Sequence, residues 1–197
     1  MPDRAFEKEF FNIANYLYGL ATNQPTSTPP TEILLRTYTN RIYYYIYHST
    51  RKETVYKIQN TSVKKYIENW GIKVEDLFQE HKLLREFYER LGDYKKGLGL
   101  EKAEDIAETL NIYNIYRVLA DYHIETPAPK LGRKNIDFTS INPNSNAWRL
   151  LDPTYLKRKI TKLLKNISDL FDEIDENGYS YDVAKILNDL DFKRKRS

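Results

Sequence analysis

The alternation of apolar and polar residues along this chain is mainly that of amphipathic helices. In residues 5–21 apolar side chains recur at the i, i+3, i+4, i+7 spacing, which places them on one face of a helix. This apolar face consists of Phe6, Phe10, Ile13, Leu17 and Leu20. Prolines and small polar residues at positions 22–30 then interrupt the pattern. The first predicted element is therefore a helix over residues 5–21.

Four more helices are predicted, over residues 31–52, 62–70, 74–94 and 101–123. Thr31 is a suitable N-cap for the first of these, and Gly71 ends the second as a C-terminal glycine. The fourth opens on acidic residues, which the positive end of the helix dipole favours.

Residues 126–152 have little periodicity and several prolines and asparagines, so they are predicted to form a lid, a binding loop or a linker. A long helix is predicted to start near Pro153 and to break near Gly178. A short helix over residues 181–190 then precedes a basic tail, which we expect to be disordered. No segment shows a convincing strand pattern, so the predicted fold class is an all-α helical bundle.

The charge distribution argues against a generally basic nucleic-acid binder. The net charge is +3, but the KRKR sequence at residues 193–196 carries +4, so the remainder sums to 3 − 4 = −1. Recognition of phosphates would therefore depend on local patches.

Composition excludes several kinds of chemistry. The chain has no cysteine, which rules out disulfides, thiol nucleophiles and cysteine-bound zinc. Its three histidines, His48, His81 and His123, are too scattered for a zinc motif, and we predict neither a metal site nor a cofactor. No apolar leader or membrane-spanning stretch is evident in the sequence, so we expect a cytoplasmic protein that does not bind membranes.

The most distinctive stretch is NRIYYYIYHST, residues 40–50. If it is helical, Arg41 and His48 are separated by about two turns and share a face, about 10 Å apart along the axis. Tyr44 and Tyr45 lie between them, whereas Tyr43 and Tyr47 turn toward the flanks.

Such a stripe suits the cleavage of RNA phosphodiesters. A histidine can transfer protons near neutral pH, and an arginine can hold phosphate oxygens and stabilise the developing charge. Tyrosines can stack a base or bond a phosphate. The alternative is a packed tyrosine-rich helix in which the spacing of Arg41 and His48 has no chemical role. A second pair, Arg117 and His123, would point to different helix faces, so we predict that Arg117 instead pairs with Asp121.

Three segments in order resemble the HEPN domain, the higher eukaryotes and prokaryotes nucleotide-binding domain. LLRTYTNRIYYYIYHSTRK resembles the tyrosine-rich branch of its second-helix signature. The matching residues are Arg36, Asn40, Arg41, Tyr43, Tyr44, Tyr47 and His48. EHKLLREFYERL, which opens on His81, resembles the following helix, and IYNIYRVLADYH resembles the closing one through Arg117, Ala120, Asp121 and Tyr122.

The resemblance implies an up-and-down helical bundle of HEPN type over residues 1–125. Residues 126–152 would then be a loop or linker, residues 153–192 an additional C-terminal helical extension, and residues 193–197 a basic tail. It also implies a homodimer and, in many members, a metal-independent endoribonuclease of toxin–antitoxin or phage-defence systems.

Three functions follow as hypotheses. In the first, the chain is such an endoribonuclease acting on RNA, with Arg41 and His48 catalytic and Asn40, Tyr44 and Tyr45 binding the substrate. In the second, it is a non-catalytic HEPN module that binds a nucleotide or a partner such as an antitoxin or another defence protein. In the third, it is a plain helical interaction protein.

The predicted helix after Pro153 carries its charges in an unusual order. Basic residues dominate its first half and acidic residues its second, which opposes the helix dipole. Three interpretations are possible. The helix is a solvated amphipathic helix, or its basic end contacts RNA phosphates or an acidic partner, or two copies pair in antiparallel orientation.

Overall fold

The computed structural model describes residues 5–23, 29–94, 101–122, 136–138 and 141–194. These residues form eight α-helices and one short 3₁₀ turn, with no strand among them. The helices are α1 (Ala5–Thr22), α2 (Pro29–Gln59), α3 (Val63–Asn69), α4 (His81–Tyr94), α5 (Glu101–Tyr122), α6 (Asn146–Leu151), α7 (Pro153–Glu176) and α8 (Ser180–Arg194). The predicted all-α class is confirmed, and the tyrosine-rich stretch is helical throughout.

The region predicted as one helix over residues 74–94 is divided. A 3₁₀ turn occupies Val74–Asp76, and α4 begins only at His81. Between them Phe78 adopts a positive φ of 57° and packs its ring 5.2 Å from that of Phe87. Arg51 donates to the carbonyls of Glu75 and Leu77 at 3.0 and 3.1 Å. Tertiary contacts thus stabilise a turn in a region where the sequence pattern alone predicts a continuous helix.

The predicted loop over residues 126–152 contains a short helix that the sequence pattern missed. Ser145 is the N-cap of α6, and its hydroxyl accepts a hydrogen bond from the backbone N–H of Trp148 at 3.2 Å. Residues 123–135 and 139–140 lie outside the described residues, and the predicted boundary at residue 125 falls among them. The start of α7 at Pro153 is confirmed, with Asp152 accepting from the Tyr155 N–H at 2.9 Å as its cap.

The described chain divides into two compact units. The first contains the described residues between 5 and 48 and between 111 and 161, and the second contains those between 49 and 110 and between 162 and 194. Residues 162–192 of the predicted C-terminal extension therefore pack in one unit with residues 49–94 and 101–110.

In the first unit α1 and α2 run antiparallel and are joined by ring contacts. Tyr18 lies 5.1 Å from Tyr38, and Phe11 lies 5.0 Å from Tyr45. Among the described side chains of α1 the buried ones are Glu7, Ala14 and Ala21, whereas Phe10, Leu17 and Leu20 of the predicted apolar stripe are partly exposed. Ile13, a member of that stripe, is 49% exposed. Close approach of α1 to the bulky tyrosines of α2 favours alanines at the contact, because the rings of α2 already fill the space.

Two buried tyrosines connect α6 to the core of the first unit. The hydroxyl of Tyr38 donates to the carbonyl of Leu151, and that of Tyr113 donates to the carbonyl of Leu150 at 2.7 Å. Burial raises the pKa of both phenols well above the ordinary value, so both stay neutral and can act as donors. These bonds satisfy carbonyls at the C-terminal end of α6 that the helix itself leaves unpaired.

In the second unit α8 packs against α3 and α4. The acidic half of α7 is paired within this unit: Asp172 with Lys57 at 2.9 Å, and Glu173 with Lys102 at 2.8 Å. Asp175 accepts from the backbone N–H of Ser62 at 3.1 Å. Neighbouring cations and donors therefore compensate the charge order that the helix dipole disfavours. Gly178, at φ 74°, ends α7 as predicted, and α8 continues to Arg194, into the residues expected to form the tail.

Candidate functional site

The predicted stripe on α2 is assembled around one residue of α1. The Phe10 ring lies 5.6 Å from the imidazole of His48 and 6.1 Å from the ring of Tyr44, in stacked orientations. The guanidinium carbon of Arg41 lies 6.0 Å from the centre of the same ring. Arg41, Tyr44 and His48 are all partly exposed. The expectation that these three side chains share one face of a helix is therefore confirmed.

The imidazole of His48 is also held from its own helix. Tyr47 meets it edge-on at 5.1 Å, and Tyr44 stacks at 6.2 Å. Tyr43 and Tyr47 are only 4% and 3% exposed and lie 6.4 Å apart in a stacked pair. The two flanking tyrosines therefore support the stripe from the interior, and the exposed edge is left to Tyr44 and His48.

The side chain of Tyr45 points in a different direction from that of Tyr44. It pairs with Phe11 of α1, with the ring centres 5.0 Å apart, and it remains partly exposed. Successive helical residues point about 100° apart, so Tyr45 borders the stripe rather than lying in line with Tyr44. Among the predicted substrate-binding tyrosines, Tyr44 is the one that the structure places between Arg41 and His48.

Asn40 belongs to a polar network that joins α2 to α5. Its amide donates to Asp121 at 2.6 Å, and Arg117 donates to the other carboxylate oxygen of Asp121 at 3.2 Å. The Arg117 guanidinium also lies 5.4 Å from the centre of the Tyr43 ring. The predicted Arg117–Asp121 pair is confirmed, while His123 lies outside the described residues. Asn40 thus anchors the turn that carries Arg41, one residue away.

Arg36 has a structural role that the sequence did not reveal. It donates to the carbonyls of Leu119 and Ala120 at 3.1 and 3.0 Å, at the C-terminal end of α5. Its guanidinium also pairs with Glu32 at 2.7 Å and lies 4.5 Å from the ring of Phe138. A cation at this end of a helix satisfies unpaired carbonyls and favours the dipole. The first arginine of the resemblance therefore holds two helices together.

Arg41 contrasts with Arg36 and Arg117 in its surroundings. Within the described residues its guanidinium makes no hydrogen bond or ion pair, and its contact is the Phe10 ring. A partly exposed arginine without an acidic partner retains its donors for an incoming anion. Together with a histidine on the same face, it can hold a phosphate group while the imidazole transfers a proton.

Phe10 is the site residue that sequence reasoning did not identify. The sequence pattern places it only on the apolar face of α1, about thirty positions before the stripe. No local signal indicates that its ring covers His48, because this contact depends on how α1 is rotated about its axis and positioned along α2. Both helices are rich in aromatic residues, and this is the sequence feature that could have suggested a ring contact between them.

A scan against protein-family models, a search of curated proteins and a search of solved structures each found no match. In the described ranges, no three histidine, aspartate or glutamate side chains are grouped so that they could hold a metal ion. No helix in the described ranges combines the length and apolar character needed to cross a membrane.

Proposed function

We propose that this protein is a metal-independent endoribonuclease whose reactive groups are Arg41 and His48. The observation that carries the proposal is the grouping of Arg41, Tyr44 and His48 around Phe10 on one partly exposed face, with the arginine unpaired among the described residues. The HEPN-like order of residues in α2 and α5 supports the same function.

In the proposed reaction the 2′-oxygen of a ribose forms a bond to the adjacent phosphorus, and the bond from phosphorus to the 5′-oxygen breaks. A base removes the proton from the 2′-hydroxyl, and an acid supplies one to the departing 5′-oxygen. Arg41 stabilises the negative charge on the non-bridging oxygens. The products are a 2′,3′-cyclic phosphate and a 5′-hydroxyl.

This mechanism favours a homodimer. The base and the acid act on opposite sides of the phosphorus, whereas one chain places a single histidine in the stripe. A second copy facing the first would bring a second His48 and a second Arg41 to the same phosphate. Asn40 would position the Arg41 turn through Asp121, and Tyr44 and Tyr45 would hold the flanking nucleotides. We place this activity in the cytoplasm, in a toxin–antitoxin or phage-defence setting where an antitoxin restrains it.

The test is cleavage of total cellular RNA by the purified protein in the presence of a chelator. We expect fragments with 2′,3′-cyclic phosphate ends, and loss of cleavage by at least about 100-fold in both Arg41→Ala and His48→Ala. His81→Ala is the matched control, because His81 lies at the start of α4 outside this stripe and should leave the rate unchanged. Thermal melts of all variants show whether each remains folded. Cleavage that persists in folded His48→Ala contradicts the proposal.

A second candidate is a non-catalytic module that binds a nucleotide or a partner protein. The observation that favours it is the stacking of Phe10 on His48, which covers one face of the imidazole. If the protein has this function, we expect the wild-type protein to leave both structured and unstructured RNA substrates intact. Binding of RNA or of a partner protein is then weakened by Arg41→Ala but not by His81→Ala.

A further inference from the structure

The first unit contains a second feature able to bind a ligand, a pocket of about 200 Å³ between α1, the segment before α6, and the start of α7. Its chemically informative lining residues are Tyr18, Trp148, Arg149, Asp152, Tyr155 and Arg158. None of them belongs to the Arg41–His48 stripe, and five of them lie in the region after residue 125 where no resemblance was found.

The pocket has an excess of positive charge. Arg149 and Arg158 are both exposed, and neither guanidinium group makes a hydrogen bond or ion pair with any described residue. The single acid, Asp152, already accepts from the N–H of Tyr155 as the cap of α7. Two unpaired guanidinium groups against one engaged carboxylate favour an anion, and arginine recognises phosphate through two parallel hydrogen bonds.

The rest of the lining is apolar or aromatic and consists of Ile141, Pro143, Tyr18, Trp148 and Tyr155. Trp148 is 3% exposed and is fixed by donation from its indole N–H to the carbonyl of Asp137 at 3.1 Å. Tyr18 is fixed by its ring contact with Tyr38 at 5.1 Å. Rings held in place in this way provide apolar surface on which a planar base can stack with little loss of conformational entropy.

We propose that this pocket binds a single nucleotide unit. The phosphate lies between Arg149 and Arg158, and the base lies against the aromatic wall. A pocket of about 200 Å³ is smaller than the range of roughly 300–1,000 Å³ usual for drug-sized ligands, so it has no room for a second nucleotide. The ligand is either a free nucleoside monophosphate or one nucleotide of single-stranded RNA.

The binding experiment uses the full-length protein and calorimetry at low ionic strength. The probes are AMP, GMP, CMP and UMP, inorganic phosphate alone, and tetranucleotides of each base with 2′-O-methyl riboses. The methyl groups block the 2′-hydroxyl, so the tetranucleotides cannot be cleaved and binding is measured independently of nuclease activity.

We expect at least one nucleotide to bind more tightly than inorganic phosphate, and Arg149→Ala with Arg158→Ala together to weaken that binding about tenfold or more. Lys157→Ala is the matched control: it removes an exposed cation next to Arg158 that does not line the pocket, and we expect a change of less than about twofold. A tetranucleotide that binds more tightly than its mononucleotide identifies RNA as the source, and equal or weaker binding identifies the free nucleotide.

Three results would overturn the inference: no nucleotide or tetranucleotide binding at millimolar concentration, inorganic phosphate binding as tightly as any nucleotide, or unchanged binding in the folded double-arginine variant. The nuclease proposal is tested separately. Arg41→Ala and His48→Ala abolish cleavage without affecting mononucleotide binding to this pocket, so the two proposals can fail independently.

Discussion

The ring of Phe10 in α1 lies on the imidazole of His48 in α2, with centres 5.6 Å apart and planes inclined by 20°. The same ring is 6.0 Å from the Arg41 guanidinium. One phenylalanine ring therefore lies beside both groups proposed to act on RNA. The stacked ring lies over one face of the imidazole.

Replacing Phe10 by alanine should expose His48. We expect faster modification of His48 by diethylpyrocarbonate, measured by mass spectrometry of the peptide that contains it, and a decrease of about 2 kcal/mol in the free energy of unfolding. Phe11→Ala is the control, because Phe11 contacts Tyr45 instead of the imidazole. Equal labelling of His48 in the wild type and in Phe10→Ala would mean that the ring does not shield it.

Removing the Tyr38 hydroxyl should destabilise the protein. Tyr38 is fully buried and donates to the Leu151 carbonyl, so Tyr38→Phe leaves a carbonyl without its partner. We expect a loss of about 1–3 kcal/mol in urea unfolding. Tyr16→Phe removes a hydroxyl from a residue that is 68% exposed and should change stability by less than about 0.5 kcal/mol. Equal stability of the two variants would contradict the assigned role of the bond.

Stability should fall at alkaline pH. Burial raises the pKa of Tyr113, followed in importance by repulsion from Tyr155, so the folded state keeps a proton that the unfolded state loses at about pH 10. The folded state then binds more protons than the unfolded state, and the free energy of unfolding decreases as pH rises above about 10. Below that pH the contribution is fully present.

Urea unfolding between about pH 8 and 11 measures this dependence. Burial also raises the pKa of Tyr116, to about 12, so several buried tyrosines contribute to the slope. We expect a less steep decline in Tyr113→Phe than in the wild type, from a lower starting stability, because the hydrogen bond to Leu150 is lost. A parallel decline in both proteins would exclude Tyr113 as a contributor.

The ion pair between Lys102 and Glu173 should make a small, salt-dependent contribution. Its nitrogen–oxygen distance is 2.8 Å, but the side chains are 36% and 28% exposed, so solvent screens much of the attraction. The bond to Glu173 raises the pKa of Lys102. We expect Lys102→Glu to cost up to about 1 kcal/mol at low salt, and the swap Lys102→Glu with Glu173→Lys to recover most of it.

In about 1 M salt the difference between Lys102→Glu and the wild type should shrink, because the Debye length falls to about 3 Å. Lys185→Glu, at an exposed position of α8, controls for the change in net charge. A cost that is independent of salt would mean that Lys102 acts through packing of its side chain rather than through its charge.

Much of the candidate site could be predicted from the sequence because its main residues lie on one helix. Arg41, Tyr44 and His48 share a face through helical geometry alone, and Arg117 pairs with Asp121 because the two are four residues apart on α5. The contacts of Asn40 and Arg36 with α5 could not be predicted. They join residues about eighty positions apart, and their geometry depends on the packing of two helices.

The sequence by itself determined that this protein is helical, because residue spacing and local capping depend on neighbours within a few positions. Tertiary structure decided which faces are buried: Ala14 lies in the interior and Ile13 is 49% exposed, although the apolar pattern favoured Ile13. It also decided that Phe78 turns the chain before α4 and that Phe10 covers His48. These outcomes depend on the shapes of distant side chains that meet only after folding, and the local pattern carries no information about them.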